Sequence, residues 1–466
     1  MPTPNKQRGT KPIVRPKAAA ERDALAVWID TAALHVAGEA AAGAAAMLRV
    51  GVLHHQRGVY SFAYDRAWLE SKQRFLLDPD LSLHAGEQFS ATGGNFRIFL
   101  DSAPDRWGRL LMERRESIAA ASEGRAPRVL REWDFLCGVQ DITRMGALRF
   151  SANITAANAD DTMPFVANDL FAVPPVTSLA QLQAVSFAVE ANDERASTKK
   201  DALLRDWLAQ LVAPGSSLGG ARPKANFLQP DGSLWIAKFP SREDRRNVAG
   251  WEMVLHTLAA KAGIDVPTAQ LLHLHQDGTS IERNASYPSF CVQRFDRVGR
   301  ERKLFVSAMT LLGATDGAAT HSYLDLADFV AREGAAGCVE RDLEQLFRRV
   351  LFNVMVCNRD DHLRNHGFIR AASGWRLSPA YDMNPNPEKY EHALAVAPGI
   401  AAPQVRDVVN TAQHYRIGAE KAIALAKTVG SVVRGWKAAA KRLGVGQGAG
   451  DAAIGAAISA MLSERE

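Results

Sequence analysis

The dozen residues CNRDDHLRNHGF, Cys357 to Phe368, hold two aspartates, two histidines and two asparagines directly after an apolar run that ends at Val356. Asp360 and Asn365 stand five residues apart. That spacing lets a carboxylate face one group while an amide oxygen, one loop further on, reaches another. Seventeen residues beyond Asn365 comes a further acid, Asp382, in Ser378-Pro-Ala-Tyr-Asp-Met-Asn-Pro385. A lysine, Lys238, interrupts the apolar stretch Leu234-Trp-Ile-Ala-Lys-Phe239, where an unpaired ammonium is costly to bury. Glu252, in Trp251-Glu-Met-Val-Leu255, is its obvious counter-charge. A base, oxygen ligands for a hard divalent cation and a cation for anionic oxygens are the parts that phosphoryl transfer needs. Each part also has a plainer reading: a solvated loop, an Asx turn before proline, an edge lysine reaching for water.

The order of the parts separates these readings. A protein-kinase catalytic loop is H-R-D-x-x-x-x-N, with the Asp accepting the substrate hydroxyl proton and the Asn holding magnesium. Arg359-Asp360 to Asn365 fits it, with Asn358 in place of the leading histidine. Asp382 falls where kinases place a second metal-binding Asp, here followed by Met-Asn rather than Phe-Gly. Upstream, Ser216-Ser-Leu-Gly-Gly-Ala-Arg-Pro-Lys224 is a small-residue turn whose backbone N–H groups could approach phosphates. It is neither a Walker A loop nor G-x-G-x-x-G. A zinc site on His362 and His366 lacks the required glutamate, because Leu363 stands there, and lacks a third ligand. Of the paired acids, Asp360 has the spacing of the base; Asp361 is its neighbour, with the milder loss expected on mutation.

These residues need strands and helices to hold them. Ala26 to Ile29 and Val59 to Tyr64 are rich in aromatic and β-branched residues and predict strands. Ser102-Ala-Pro-Asp105 predicts the start of a helix running to Ser122. Leu203 to Val212 is helix-like, and Ala225–Leu228 and Leu234–Phe239 predict strands joined by Gln229-Pro-Asp-Gly232. In that turn proline fixes φ, aspartate caps and glycine takes φ > 0. A helix is predicted from Asn247 to Ala262, closed by Gly263, and a strand over Pro288–Phe295. From Ser307 the chain is mostly helical in pattern, apart from strands predicted at Gly367–Arg370 and Trp375–Leu377 between Asn365 and Asp382. Leu343, Leu346, Phe347, Val350, Leu351 and Val354 form a stripe expected to be core rather than a binding face.

Composition excludes several classes. The chain has 466 residues, 47% hydrophobic and 23% charged, enough for two or three lobes and an ordinary globular balance. A net charge of +5 does not by itself imply nucleic acid. Residues 1–17 carry five basic side chains, four prolines and no acid, which predicts a disordered basic arm and not a secretion signal. Cys137, Cys291, Cys338 and Cys357 form no CxxC and suggest a reducing compartment. No segment is apolar enough to span a bilayer, so a cytoplasmic protein without membrane contact is expected.

Taken together these stretches resemble the HipA family of toxin serine/threonine kinases from bacterial toxin–antitoxin systems. Phe99-Leu-Asp-Ser-Ala-Pro-Asp-Arg-Trp-Gly-Arg109 and Asp134 to Leu148 are similar to the family's N-terminal region. Ser217-Leu-Gly-Gly-Ala-Arg-Pro-Lys224 resembles its phosphate-binding loop, Gln293-Arg-Phe-Asp-Arg297 its hinge, Asn358 to Asn365 its catalytic loop, and Tyr381-Asp382 its metal-binding segment. The resemblance implies an α+β, two-lobed protein-kinase-like fold. Its expected parts are a basic arm (1–20), an N-terminal α+β subdomain (21–165), a kinase N-lobe (166–300) and an all-helical C-terminal lobe (301–466).

The resemblance also implies roles. ATP and Mg2+ are the expected cofactors, with Asp360 as base and Asn365 and Asp382 as metal ligands. Lys238, ion-paired to Glu252, would contact the ATP phosphates, and Ser217, Gly219, Gly220, Ala221, Arg222 and Lys224 would form the phosphate loop. Gln293 and Phe295 would lie beside adenine and His362 near the phosphates. Ser217 or its neighbour Ser216 matches the serine such kinases autophosphorylate. Arg222-Pro223 departs from the acidic or polar residues expected in that loop. The implied partners are a small helix-turn-helix antitoxin, operator DNA through that antitoxin, and a host protein substrate; known substrates in the family include aminoacyl-tRNA synthetases. Two other functions fit some of the same residues: a small-molecule phosphotransferase of the antibiotic type, and a catalytically idle DNA-binding corepressor.

Overall fold

The computed structural model describes residues 23–30, 47–156, 163–167, 172–191, 222–274, 287–299, 301–317, 320–446 and 449–463. The basic arm, the helix-like 203–212 and the loop residues Ser216, Ser217, Gly219, Gly220 and Ala221 lie outside the described residues.

The chain opens with a five-stranded antiparallel sheet of order β4-β3-β2-β1-β5, built from β1 (Asp23–Asp30), β2 (Met47–Gln56), β3 (Val59–Tyr64), β4 (Glu87–Phe89) and β5 (Leu148–Ser151). β2 and β3 are joined by Arg57-Gly58, with φ of 54° and 87°. Two consecutive residues with φ > 0 give the tight turn whose twist matches the flanking strands. β1 is buried on both faces. Leu25, Val27 and Ile29 enter the main core, while Ala26 and Trp28 pack with Met163 and Phe165. Helix α1 (Arg106–Ser122) starts at Asp105, whose Oδ1 accepts from the Gly108 N–H at 2.8 Å. Helix α2 (Leu179–Glu190) follows.

A second antiparallel sheet has the order β6-β7-β9-β8: β6 (Lys224–Leu228), β7 (Leu234–Lys238), β8 (Ala269–Leu272) and β9 (Ser289–Gln293). The β6–β7 turn follows the sequence expectation: Asp231 Oδ1 accepts from the Ser233 N–H at 2.9 Å, and Gly232 has φ 80°. Strand alternation then sorts the two faces. Ala225, Phe227, Trp235 and Ala237 pack against Trp107 and Leu111 of α1 and Leu179 and Leu182 of α2. Lys224 stands opposite Lys238 in register, on the face turned toward a cleft. Helix α3 (Val248–Lys261) crosses behind that cleft, capped by Asn247 and closed at Gly263 with φ 77°.

The remainder is mostly helical. Helices α4 (Tyr323–Glu333), α5 (Val339–Met355) and α6 (Ala419–Arg434) are its longest well-buried members before the C-terminal Ala449–Ser463. The α5 stripe expected to be core is buried throughout. This lobe is not wholly helical, however. After the short pair β10 (Arg297–Val298) and β11 (Glu301–Arg302), β12 (Phe305–Ser307), β13 (Gly367–Ala371) and β14 (Gly374–Leu377) form a three-stranded sheet. The reason is local. Gly367 and Gly374 each open one strand of a hairpin that carries Phe368, Ile369 and Trp375, and Phe305-Val-Ser307 supplies its third strand. The polar stretch 357–366 is the connection from α5 into β13.

Candidate active site

A cleft between the second sheet and the helical lobe is walled by Lys224, Ile236, Lys238, Glu252, Phe290, Val292, Gln293, Phe295, Tyr381 and Asp382, among others. At its centre Lys238 Nζ donates to Glu252 Oε1 at 2.6 Å and to Asp382 Oδ1 at 2.7 Å. The ammonium also lies 5.8 Å from the Phe290 ring centroid. β7 delivers Lys238 because its odd partners, Trp235 and Ala237, are committed to the opposite face. Burial alone would discharge the lysine, yet the two carboxylates overcome that and raise its pKa. Burial raises Glu252 despite the lysine. Burial also works on Asp382, but Lys238 outweighs it and holds that carboxyl below its usual range. One cation thus serves two acids, and Asp382, the less enclosed at 30% against 5%, keeps its charge.

Asp382 has φ 58°, a left-handed conformation that aspartate tolerates better than most residues. Its neighbour Tyr381 donates from its hydroxyl to the Arg364 carbonyl at 2.8 Å, so the Tyr381-Asp382 pair is tied to the polar 357–366 loop. His362 of that loop contributes to lowering the Asp382 pKa. Asn365 is buried, and its Oδ1 has no hydrogen-bond partner. An orphaned amide oxygen and an ionised carboxylate on linked segments fit a small hard cation that takes its other ligands from phosphates and water. No group of three or more His, Cys, Asp or Glu able to hold a metal occurs among the described residues. Of the two histidines, His366 bonds Asp361 Oδ2 through Nε2 at 2.7 Å.

The other expected site residues divide. Gln293 and Phe295 wall the cleft, and Phe295 stacks on Tyr381 with centroids 5.6 Å apart. Asp360, Asn365, His362 and Arg222 are not part of that wall. Arg222 is turned instead to Asp244, which it holds through two bonds of 2.6 and 2.7 Å. The Asp360 carboxylate is 57% exposed and meets Lys389 Nζ. Asp361 is its opposite in environment. It is buried, and its Oδ2 accepts from Tyr323 Oη, from Asn353 Nδ2 at 2.9 Å and from His366 Nε2 at 2.7 Å. Burial opposes its charge, but His366 and the Tyr323 hydroxyl lower its pKa. Sequence spacing gives Asp361 the milder loss on mutation, but its packing makes it the fixed post of the loop. Sequence spacing missed it because its three partners come from α4, α5 and the loop's far end. Spacing also missed Lys389, which is ordered by the bond from Arg359 Nη1 to the Lys389 carbonyl at 2.5 Å.

Comparison with known proteins agrees with this architecture. Residues 44–151 match the family described as the HipA N-terminal domain, and residues 216–437 match the HipA-like C-terminal domain. The chain belongs to the HipA family. Among solved structures it is similar to a chain of the Shewanella oneidensis MR-1 toxin–antitoxin complex of HipA, HipB and operator DNA. The TM-score is 0.60 at 16% identity, over 89% of this chain and 94% of that one. The HipA fold therefore extends over nearly the whole molecule. Among curated relatives, a candidate kinase of Haemophilus influenzae is 26% identical over 209 residues, 40% of this chain; the match spans 58% of that relative's length. The candidate kinase Y4dM of Sinorhizobium fredii is 24% identical over 339 residues, covering 70% of this chain and 72% of Y4dM. No helix among the described residues is long and apolar enough to cross a membrane.

Proposed function

We propose that this HipA-family chain is an ATP- and magnesium-dependent serine/threonine protein kinase that acts as the toxin of a toxin–antitoxin pair. The observation that carries the reading is the half-buried Lys238 held between Glu252 and Asp382 beside an apolar slot walled by Phe295 and Val292. A lysine so placed supplies fixed positive charge to phosphate oxygens, and the slot suits an aromatic base. The relatives named as candidate kinases support the same chemistry.

In this reading Asp360, open to solvent, accepts the proton of the incoming protein hydroxyl. Lys238 and Lys224 hold the nucleotide's phosphates. Asn365 and Asp382 would hold magnesium, which neutralises charge on the transferring phosphoryl group. Ser217 or Ser216 is the autophosphorylated position, and a phosphate there competes with ATP for the same cations. The partners proposed are a small DNA-binding antitoxin, operator DNA through it, and a host protein such as an aminoacyl-tRNA synthetase; the HipA–HipB–DNA complex of Shewanella supports the first two. Purified protein incubated with labelled ATP and magnesium should label itself, and Asp360→Gln should abolish the signal while keeping the fold. Labelling of Asp360→Gln at the wild-type rate refutes the assignment. A screen of host lysate for new phosphoproteins separates this activity from small-molecule phosphotransfer.

A further inference from the structure

Lys224 occupies an unusual position: its side chain is 4% exposed, it walls the cleft, and it stands opposite Lys238. Two ammonium groups from paired strands on one face repel each other unless each is held. Lys238 has Glu252 and Asp382. Lys224 Nζ donates to Asp105 Oδ2 at 2.6 Å, and Asp105 is itself 4% exposed. Asp105 lies 119 positions earlier, at the junction between the N-terminal sheet region and α1. Its two oxygens are divided between tasks: Oδ1 caps α1 through Gly108, and Oδ2 holds the lysine. Two residues on, Trp107 Nε1 donates to the Lys224 carbonyl at 3.1 Å. Both the backbone and the amine of Lys224 are therefore gripped by Asp105-Arg-Trp107. The charge of Lys224 also helps to lower the Asp382 pKa, so the held amine acts on the centre of the cleft.

We propose that Asp105 is a positioning residue for substrate binding: the N-terminal part of the chain fixes Lys224 in the cleft as a second phosphate-binding cation. The inference rests on reading the cleft as a nucleotide site. A carboxylate at this point does what an apolar residue cannot: it gives the buried amine a hydrogen-bonding partner and fixes where that amine stands relative to Lys238, which is what recognition of adjacent phosphates requires.

The test uses the full chain. Asp105→Asn keeps an acceptor for Gly108 and removes the carboxylate from Lys224; Asp105→Glu keeps the charge. Lysine acylation read by mass spectrometry, with and without MgATP, reports on the amine directly. Autophosphorylation kinetics give KM for ATP and kcat. In Asp105→Asn, labelling of Lys224 without nucleotide should change severalfold and KM should rise about tenfold, with a smaller change in kcat. Asp105→Glu should recover part of the loss. Asp105→Asn combined with Lys224→Met should be no worse than Lys224→Met alone. Unchanged Lys224 labelling in Asp105→Asn, or effects that multiply independently in the double variant, overturns the proposal. If wild-type Lys224 is not protected by MgATP while Asp105→Asn still alters its labelling, the nucleotide reading falls and the tether stands.

Discussion

Two adjacent aspartates should fail in opposite ways. Asp361→Ala removes the single acceptor oxygen that serves Tyr323 Oη, Asn353 Nδ2 and His366 Nε2, all in a buried setting. Leaving the buried His366 ring without its acceptor costs about 1–3 kcal/mol, because the surviving donor stays desolvated. The orphaned hydroxyl and amide add to this, though not additively, so about 4 kcal/mol is expected. That is a large part of the ~5–15 kcal/mol that typically holds a domain together. Asp361→Asn retains an acceptor oxygen and loses the charge opposite His366; about half the penalty should remain. Asp360→Ala gives up an ion pair to Lys389 in which the two side chains are 57% and 46% exposed. Solvent screening holds that loss to ~0.5 kcal/mol. Urea unfolding followed by tryptophan fluorescence and far-UV dichroism separates the two. The midpoint should fall sharply for Asp361→Ala and barely for Asp360→Ala, while autophosphorylation is lost in both. A stability loss under about 1 kcal/mol for Asp361→Ala would refute the reasoning about buried partners. The pH dependence carries the same logic. The Asp361 pKa is depressed in the folded state, so its contribution is complete above the ordinary aspartate range and is lost as pH falls through the depressed value.

Further outcomes follow from the same geometry. Lys238→Met should abolish phosphoryl transfer and leave Glu252 and Asp382 without their shared cation; the variant's stability should improve relative to wild type as pH is lowered, which pH-resolved thermal unfolding checks. His392 is buried, which with the nearby Arg359 outweighs Asp361 and brings its pKa down to about 4. Its neutral form stabilises the fold fully above the ordinary histidine range, and about 3 kcal/mol is lost as pH falls from ~6.5 toward that value. His392→Leu should flatten that slope in pH-dependent urea titrations. Lys389→Ala should lower kcat for phosphoryl transfer while shifting stability by under ~0.5 kcal/mol, because the lysine meets the proposed base in a half-exposed pair. Gly232→Val should cost at least ~1 kcal/mol, since φ is 80° and nothing else crowds the site.

The chain's local chemistry was largely legible in its sequence. Turn residues announced the β6–β7 hairpin, and Asp105 and Asn247 announced helix starts because capping needs only a short side chain at one position. The α5 stripe foretold its burial. The small sheet of β12, β13 and β14 was harder: only its hairpin is local, and Phe305 joins it from about sixty positions away. In the cleft, the lysine, glutamate and aspartate were each identifiable from type and spacing, and the order of parts suggested that they meet. Tertiary structure alone decided the rest. Arg222 pairs with Asp244 instead of facing the cleft because Asp244 is brought back beside it after β7. Asp360 and Asp361 are chemically identical neighbours, and only packing against α4 and α5 buries one and exposes the other. Lys224 finds Asp105 across more than a hundred residues for the same reason. A charge's environment is a property of everything that folds around it, and that surrounding is drawn from the whole chain.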